Sequence, residues 1–207
     1  MADSYGRGTN YEVLDLVPAG VSCLDIGCGE GGWGAELRQK GVTRLVGVEG
    51  DADLARAATE YDHVAVGPIE TLDLTALGSF DLVVAADVLE HLTNPWDVLR
   101  RLRDCVAPGG QLLISVPNAR CIEITVPLVV RGRFEYEDGG GLMDRGHLRW
   151  FTRKTLAADL VAAGWQPHTW RFVTLGKRRP INRVLERLHV LPDLLARQLV
   201  VLASPVG

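Results

Sequence analysis

Val21-Ser22-Cys23-Leu24-Asp25-Ile26-Gly27-Cys28-Gly29-Glu30-Gly31-Gly32-Trp33-Gly34 decides the fold of this chain, together with the helix-forming segment Ala35 to Lys40 that follows it. A short apolar run, Val21 to Ile26, leads into five glycines and then into residues that favour helix, so the stretch reads as strand, tight turn, helix. Unpaired N–H groups at the start of such a helix, and glycines in the turn, let a ligand come close to the backbone. Gly27-x-Gly29-x-x-Gly32 and Gly29-x-Gly31-x-x-Gly34 both fit GxGxxG, which alone is a weak signal. Asp25, just before the first glycine, tilts the reading: a carboxylate there repels a pyrophosphate and suits a cationic ligand.

The bulk composition narrows the classes. A chain of 207 residues with 47% apolar content is one domain with a full core, taken as 1–207. A net charge of −4 gives no support to a nucleic-acid surface, and no nucleic-acid partner is expected. No apolar run approaches the roughly 18 residues of a membrane span, and the first residues lack the basic and apolar regions of a signal peptide, so a cytoplasmic protein is expected. The four cysteines, Cys23, Cys28, Cys105 and Cys121, show no CxxC pairing and read as small buried hydrophobes; no metal site is expected.

Outward from the glycine turn, strands and helices alternate. Arg44 to Val48 reads as a second strand, apolar as befits a parallel strand covered on both faces, and Asp51 as the N-cap of a helix over Ala52 to Glu60. Glu49 falls about twenty residues past the first glycine, at the end of that strand, where an acid can accept both hydroxyls of a ribose; Gly50 then leaves room for the ligand. His63 to Val66 and Phe80 to Ala86 read as strands three and four. Asn94 caps a helix over Trp96 to Cys105, and Gln111 to Val116 is the fifth strand after the turn Ala107-Pro108-Gly109-Gly110. This alternation predicts an α/β open parallel sheet with helices on both faces. Further on, Thr152 caps a helix over Arg153 to Ala163, and Trp165 to Val173 and Arg197 to Ala203 read as two more strands.

Four strings resemble the class I S-adenosylmethionine (SAM)-dependent methyltransferases of small-molecule type: Leu24-Asp25-Ile26-Gly27-Cys28-Gly29-Glu30-Gly31, the stretch Phe80 to Leu92, the stretch Ala107 to Asn118, and Asp144-Arg145-Gly146-His147-Leu148-Arg149-Trp150-Phe151-Thr152. The resemblance spans nearly the whole chain. It implies a Rossmann-like seven-stranded sheet of order 3-2-1-4-5-7-6, with strand 7 antiparallel, and SAM as cofactor beyond the ends of strands 1, 2 and 4. Asp25, Gly27, Gly29, Gly31, Glu49 and Gly50 would then line the cofactor site, with Asp87 and Val88 near the methionine part of SAM. Pro68 stands where the family often has an adenine-binding Asp; Ile69 is left to pack on the ring, and Glu70 is the nearest acid.

The fourth string carries the candidates for chemistry. His147 is the candidate general base, since a neutral imidazole titrates near working pH, and Asp144 either orients it or binds substrate. His91 reads equally as a satisfied helix-end histidine or as an active-site group, and Arg149 as a tie from the loop to the core. Residues 1–20 are expected to form a lid, with Tyr5 and Tyr11 as candidates to cover the cofactor. Residues 118–152 and 174–196 are read as substrate-side insertions. The second insertion holds Lys177-Arg178-Arg179 and an amphipathic helix over Ile181 to Leu188; it reads as a solvated flap or, over 181–195, as a peripheral membrane contact. The function expected is methyl transfer to an oxygen or nitrogen of a small-molecule or lipid-like metabolite. A non-catalytic SAM-binding partner or regulator and a NAD-linked oxidoreductase are the alternatives.

Overall fold

The computed structural model describes residues 11–174 and 192–206, and its sheet is built outward from the strand that precedes the glycine turn. β1 (Ser22–Ile26) pairs in parallel with β2 (Arg44–Glu49) on one side and β4 (Phe80–Ala86) on the other. β3 (His63–Val66) extends the sheet beyond β2, and β5 (Val106–Pro117) extends it beyond β4, both in parallel. β7 (Ala196–Pro205) runs antiparallel between β5 and β6 (Trp165–Thr174), which gives the order β3-β2-β1-β4-β5-β7-β6. The strand order reverses between β1 and β4, so a crevice opens beyond their carboxyl ends, the usual ligand position in open α/β sheets.

Period-two alternation divides the core between the two faces. Leu24 and Ile26 of β1 and Val83 and Ala85 of β4 point to one face. There they meet α4 (Pro95–Arg101) through Val98 and Leu99, and α6 (Arg153–Ala162) through Leu156 and Leu160. Cys23, Leu82 and Val84 point to the other face, against Val13 and Leu14 of α1 (Tyr11–Leu14) and Leu37 of α2 (Gly34–Gln39). Asp25 must share the face of Cys23, which is what places a carboxylate inside the second half of the core. Trp165 is fully buried, and its indole N–H donates to the Leu99 carbonyl at 2.8 Å, fixing β6 to α4.

The helix starts follow their capping residues. The Asp51 side chain accepts from the N–H groups of Asp53 and Leu54 at the head of α3 (Ala52–Ala57), Asn94 accepts from Asp97 at the head of α4, and Thr152 forms a capping box with Thr155. Several elements differ from the sequence reading. The second-strand helix stops at Ala57 rather than Glu60, and α4 tightens into a 3₁₀ turn over Leu102–Cys105. β5 begins at Val106, because Gly109 and Gly110 form an irregularity inside the strand rather than a turn before it. A Cβ at Gly110 would sit 2.9 Å from the carbonyl oxygens of Phe80 and Asp81, and the register with β4 slips between Phe80 and Leu82. Finally, the apolar run after β5 folds as α5 (Ile122–Arg131), with Pro127 inside it and Gly132 ending it at φ +64°. α5 buries Ile124 against Cys121 and Leu142, with Trp150 alongside, so the 118–152 region has a small core of its own. Tyr5 and the helix expected over 181–188 lie outside the described residues.

Candidate functional site

The glycine turn divides its glycines between two tasks. Gly27, Gly29 and Gly31 adopt φ of +71°, +56° and +83°, a region that a residue with a Cβ enters only at a cost. A Cβ at Gly31 would lie 2.8 Å from the Cα of Ala58, and one at Gly27 would lie 2.8 Å from Cγ2 of Val88, so these two permit close packing of the chain on itself. Gly31, Gly34 and Gly47 together leave a slot for the ring of Tyr61, whose atoms would lie 3.4, 3.0 and 3.0 Å from a Cβ at each. Gly29 and Gly50, by contrast, face open space, with nothing within 4 Å of a Cβ. Those two glycines border the volume in which a ligand can approach the backbone.

Tyr61 explains how a carboxylate survives in the core. Its hydroxyl donates to Oδ2 of the buried Asp25 at 2.5 Å. Burial pushes Asp25 up to about 6; the Tyr61 bond counteracts this, and the charge of Glu49 adds to it. Burial likewise pushes the neighbouring Cys28 thiol up to about 12, which leaves it an inert hydrophobe. Glu49 closes the other side of the turn. Its Oε2 accepts from the Gly29 N–H at 2.8 Å and its Oε1 from the Asp51 N–H at 2.9 Å, so the acid at the end of β2 is held directly over the glycine turn at the end of β1. Ile69 is buried, and its carbonyl, with those of Glu70 and Leu72, is gathered by the guanidinium of Arg101. The Glu70 carboxylate points away to the next loop, accepting from the N–H groups of Thr93 and Asn94 at 2.8 and 3.4 Å.

The segment after β4 forms the facing wall. Asp87 has φ +55°, the one non-glycine with a positive φ among the described residues. That conformation is strained, and strain of this kind collects at functional sites. Its N–H donates to the Ser115 carbonyl at 3.0 Å, and its Oδ1 accepts from the Ser115 hydroxyl at 3.1 Å and from the Gln198 amide. Ser115 and Gln198 are a contribution of β5 and β7 that adjacency in sequence could not reveal. The 144–152 string folds back onto this wall, because the Glu90 carbonyl accepts from the N–H groups of Leu148 and Arg149 at 2.7 and 3.0 Å. The fold thus brings His91 and His147 together, with ring centroids 4.9 Å apart, and Trp150 lies 5.7 Å from His147. Burial, and then the charge of His91, lowers His147 below the ordinary histidine value, which keeps it neutral at pH 7. Asp144 braces its own turn, accepting from the Gly146 N–H at 2.6 Å, a bond that holds its carboxyl below the usual range; it acts on His147 only through space. Arg149 ties the string to the start of α4 through the Thr93 carbonyl at 2.5 Å and the Trp96 ring. Tyr11, a candidate lid residue, is exposed.

An acid over a glycine turn at the switch point of a 3-2-1-4-5-7-6 sheet defines a Rossmann-like nucleoside-binding fold of the methyltransferase type. Residues 7–169 match the family model described as "Methyltransferase domain", and the chain belongs to that family. It is 33% identical over 110 residues to a ubiquinone biosynthesis O-methyltransferase of Pseudomonas paraeruginosa, covering 48% of this chain and 46% of that protein. It is 37% identical over 114 residues to a probable S-adenosylmethionine-dependent methyltransferase of Mycolicibacterium smegmatis, covering 52% of this chain and 42% of that one. The chain therefore spans about half the length of the curated relatives it matches. Among solved structures, a SAM-dependent methyltransferase from Archaeoglobus fulgidus superposes with a TM-score of 0.67 over 95% of each chain at 20% identity, which is a likeness of fold. SAM is the cofactor that this family implies, and the open space at Gly29 and Gly50 beside Glu49 fits its nucleoside.

Proposed function

We propose that the chain transfers a methyl group from SAM to an oxygen or nitrogen of a small-molecule or lipid-like metabolite. The observation that carries this reading is the pairing of two walls across the switch point. One holds Glu49 on the Gly29 N–H beside open space, and the other holds Asp87, His91 and His147. In this reading Glu49 exchanges its backbone bonds for the ribose hydroxyls, Gly29 and Gly50 admit the nucleoside, and Gly27 and Gly31 hold the packed turn that presents it. Ile69 packs near the adenine, Asp25 supplies negative charge, and Asp87 and Val88 flank the methionine end. Glu70, turned to Thr93, braces the loop rather than the ligand.

SAM, when bound, supplies an electrophilic methyl group on a sulfonium. The residues of the chain then have two tasks, alignment and proton removal, and alignment can contribute much of the acceleration in a displacement of this kind. An oxygen acceptor must also lose its proton, and the neutral His147 ring offers a lone pair for that step, in the field of Asp144. Relatives named as ubiquinone biosynthesis O-methyltransferases support an oxygen acceptor for this chain.

The test is transfer of a labelled methyl group from SAM to a panel of phenols, alcohols, amines and their lipid-tailed analogues. Labelled product with a hydroxyl acceptor, lost in His147→Ala while S-adenosylhomocysteine binding is retained, is the expected result. Retention of S-adenosylhomocysteine binding with no product across the panel would favour a non-catalytic SAM-binding protein.

A further inference from the structure

Glu90 is the most conspicuous anomaly in the chain. Its side chain is 1% exposed, and neither carboxylate oxygen has a hydrogen-bond partner among the described residues. A buried, unpaired carboxylate is costly, and such groups are found paired, protonated or on a metal. Among the described residues no arginine or lysine forms an ion pair with it. Its near neighbours are instead two imidazoles: one ligand atom from each of Glu90, His91 and His147 lies within 4.8 Å of the others.

Nδ1 of His91 lies 3.1 Å from the Gly146 carbonyl, so it must carry the proton and donate, which leaves a lone pair on Nε2. Nδ1 of His147 is buried with no hydrogen-bond partner among the described residues, which leaves it uncommitted. Metal-ligating histidines commonly donate their second ring N–H to a backbone carbonyl, which fixes tautomer and ring orientation. The His91 ring is held by such a backbone bond, and each ring keeps an uncommitted nitrogen.

We propose that Glu90, His91 and His147 hold a divalent first-row transition metal, of the zinc or cobalt type, beside the methyl-transfer crevice. Two imidazole nitrogens and one carboxylate oxygen form a donor set that suits these ions, whereas magnesium prefers oxygen donors alone. Bonds of about 2.0–2.2 Å bring ligand atoms to about 3–4 Å apart, within reach of small side-chain adjustments from the spacing observed. Three protein ligands leave at least one coordination position open, and the exposed side of His91 gives access to it.

This deepens the proposed reaction and rests on it. A divalent cation lowers the pKa of a hydroxyl that occupies its open position. The acceptor O–H proton passes to water, the oxygen forms a bond to the methyl carbon, and the carbon–sulfur bond breaks with its electron pair left on sulfur. On the metal the His147 lone pair is committed as a ligand, so the cation takes over the general-base role assigned to His147 above.

The test uses chelator-treated full-length protein titrated with Co²⁺ and followed by visible d–d absorption, with S-adenosylhomocysteine binding measured in parallel. The expected result is one Co²⁺ per chain with d–d bands, displaced by Zn²⁺. Glu90→Gln and His147→Ala should each weaken Co²⁺ at least about tenfold while still binding S-adenosylhomocysteine. Absence of d–d bands in the wild-type protein, or equal Co²⁺ affinity in both variants, would overturn the metal site. Loss of S-adenosylhomocysteine binding in the wild type would instead overturn the cofactor reading and leave the cobalt result standing on its own.

Discussion

Asp25→Asn should make the empty protein more stable at neutral and alkaline pH. Burial raises this carboxyl from 3.8 to about 6, so the folded state disfavours its charge. That displacement corresponds to about 3 kcal/mol of stability lost once the group is ionised in both states. The sign follows from proton uptake. Below 3.8 the carboxyl is neutral whether folded or unfolded; between 3.8 and about 6 the folded chain binds the proton more tightly, so stability falls as pH rises, and above about 6 the loss is complete. Asparagine has the same shape and keeps an oxygen for the Tyr61 hydroxyl, but its amide brings two donors that need partners. The net gain expected at pH 8 is therefore about 1–3 kcal/mol, shrinking toward zero or reversing below pH 4. Urea unfolding of both proteins at pH 8, 6 and 4 reads this directly. A variant less stable than wild type at pH 8, or a gain that does not shrink as pH falls, would refute the account of Asp25 as a desolvated acid.

Three further substitutions test the glycine turn and the core. Gly29→Ala introduces a Cβ into open space, so it should cost only about 1–2 kcal/mol from its φ of +56° while weakening S-adenosylhomocysteine at least tenfold. Gly31→Ala adds a clash with the Ala58 backbone, and thermal melts should show it less stable than Gly29→Ala by about 1–3 kcal/mol. Trp165→Phe removes the indole N–H that donates to the Leu99 carbonyl and leaves a void where the ring is fully buried; denaturant unfolding should show a loss of about 2–4 kcal/mol.

The parts of the fold legible in sequence are those written in local signals. β1 to β4 and their caps follow from apolar runs bounded by glycine, Asp51 and Asn94, and the strand order follows the family resemblance. What was hidden depends on residues distant in the chain. Gly31, Gly34 and Gly47 read as room for a ligand or as part of a strand, yet they make the slot for Tyr61, whose bond to Asp25 joins residues 36 apart. Gly109 and Gly110 read as a turn because nothing in their own sequence reports the carbonyls of Phe80 and Asp81 pressing on them. Glu90 lies within the Phe80 to Leu92 string with no neighbour in sequence that reports its surroundings. Its burial without a partner arises only when the 144–152 string folds over it and sets His147 beside His91. Asp144, read as a partner for the His147 ring, spends its carboxylate on the N–H two residues ahead, a local bond that competes with any longer reach.

The central claim is that Glu49 and the glycine turn bind the nucleoside of SAM, and calorimetric titration of wild type and Glu49→Ala with S-adenosylhomocysteine, with NAD as the parallel ligand, tests it most directly. The account predicts that the wild type binds S-adenosylhomocysteine and not NAD, and that Glu49→Ala binds it at least tenfold more weakly, a loss of about 1.4 kcal/mol or more. Equal affinity in the two proteins, or binding of NAD alone, would contradict it.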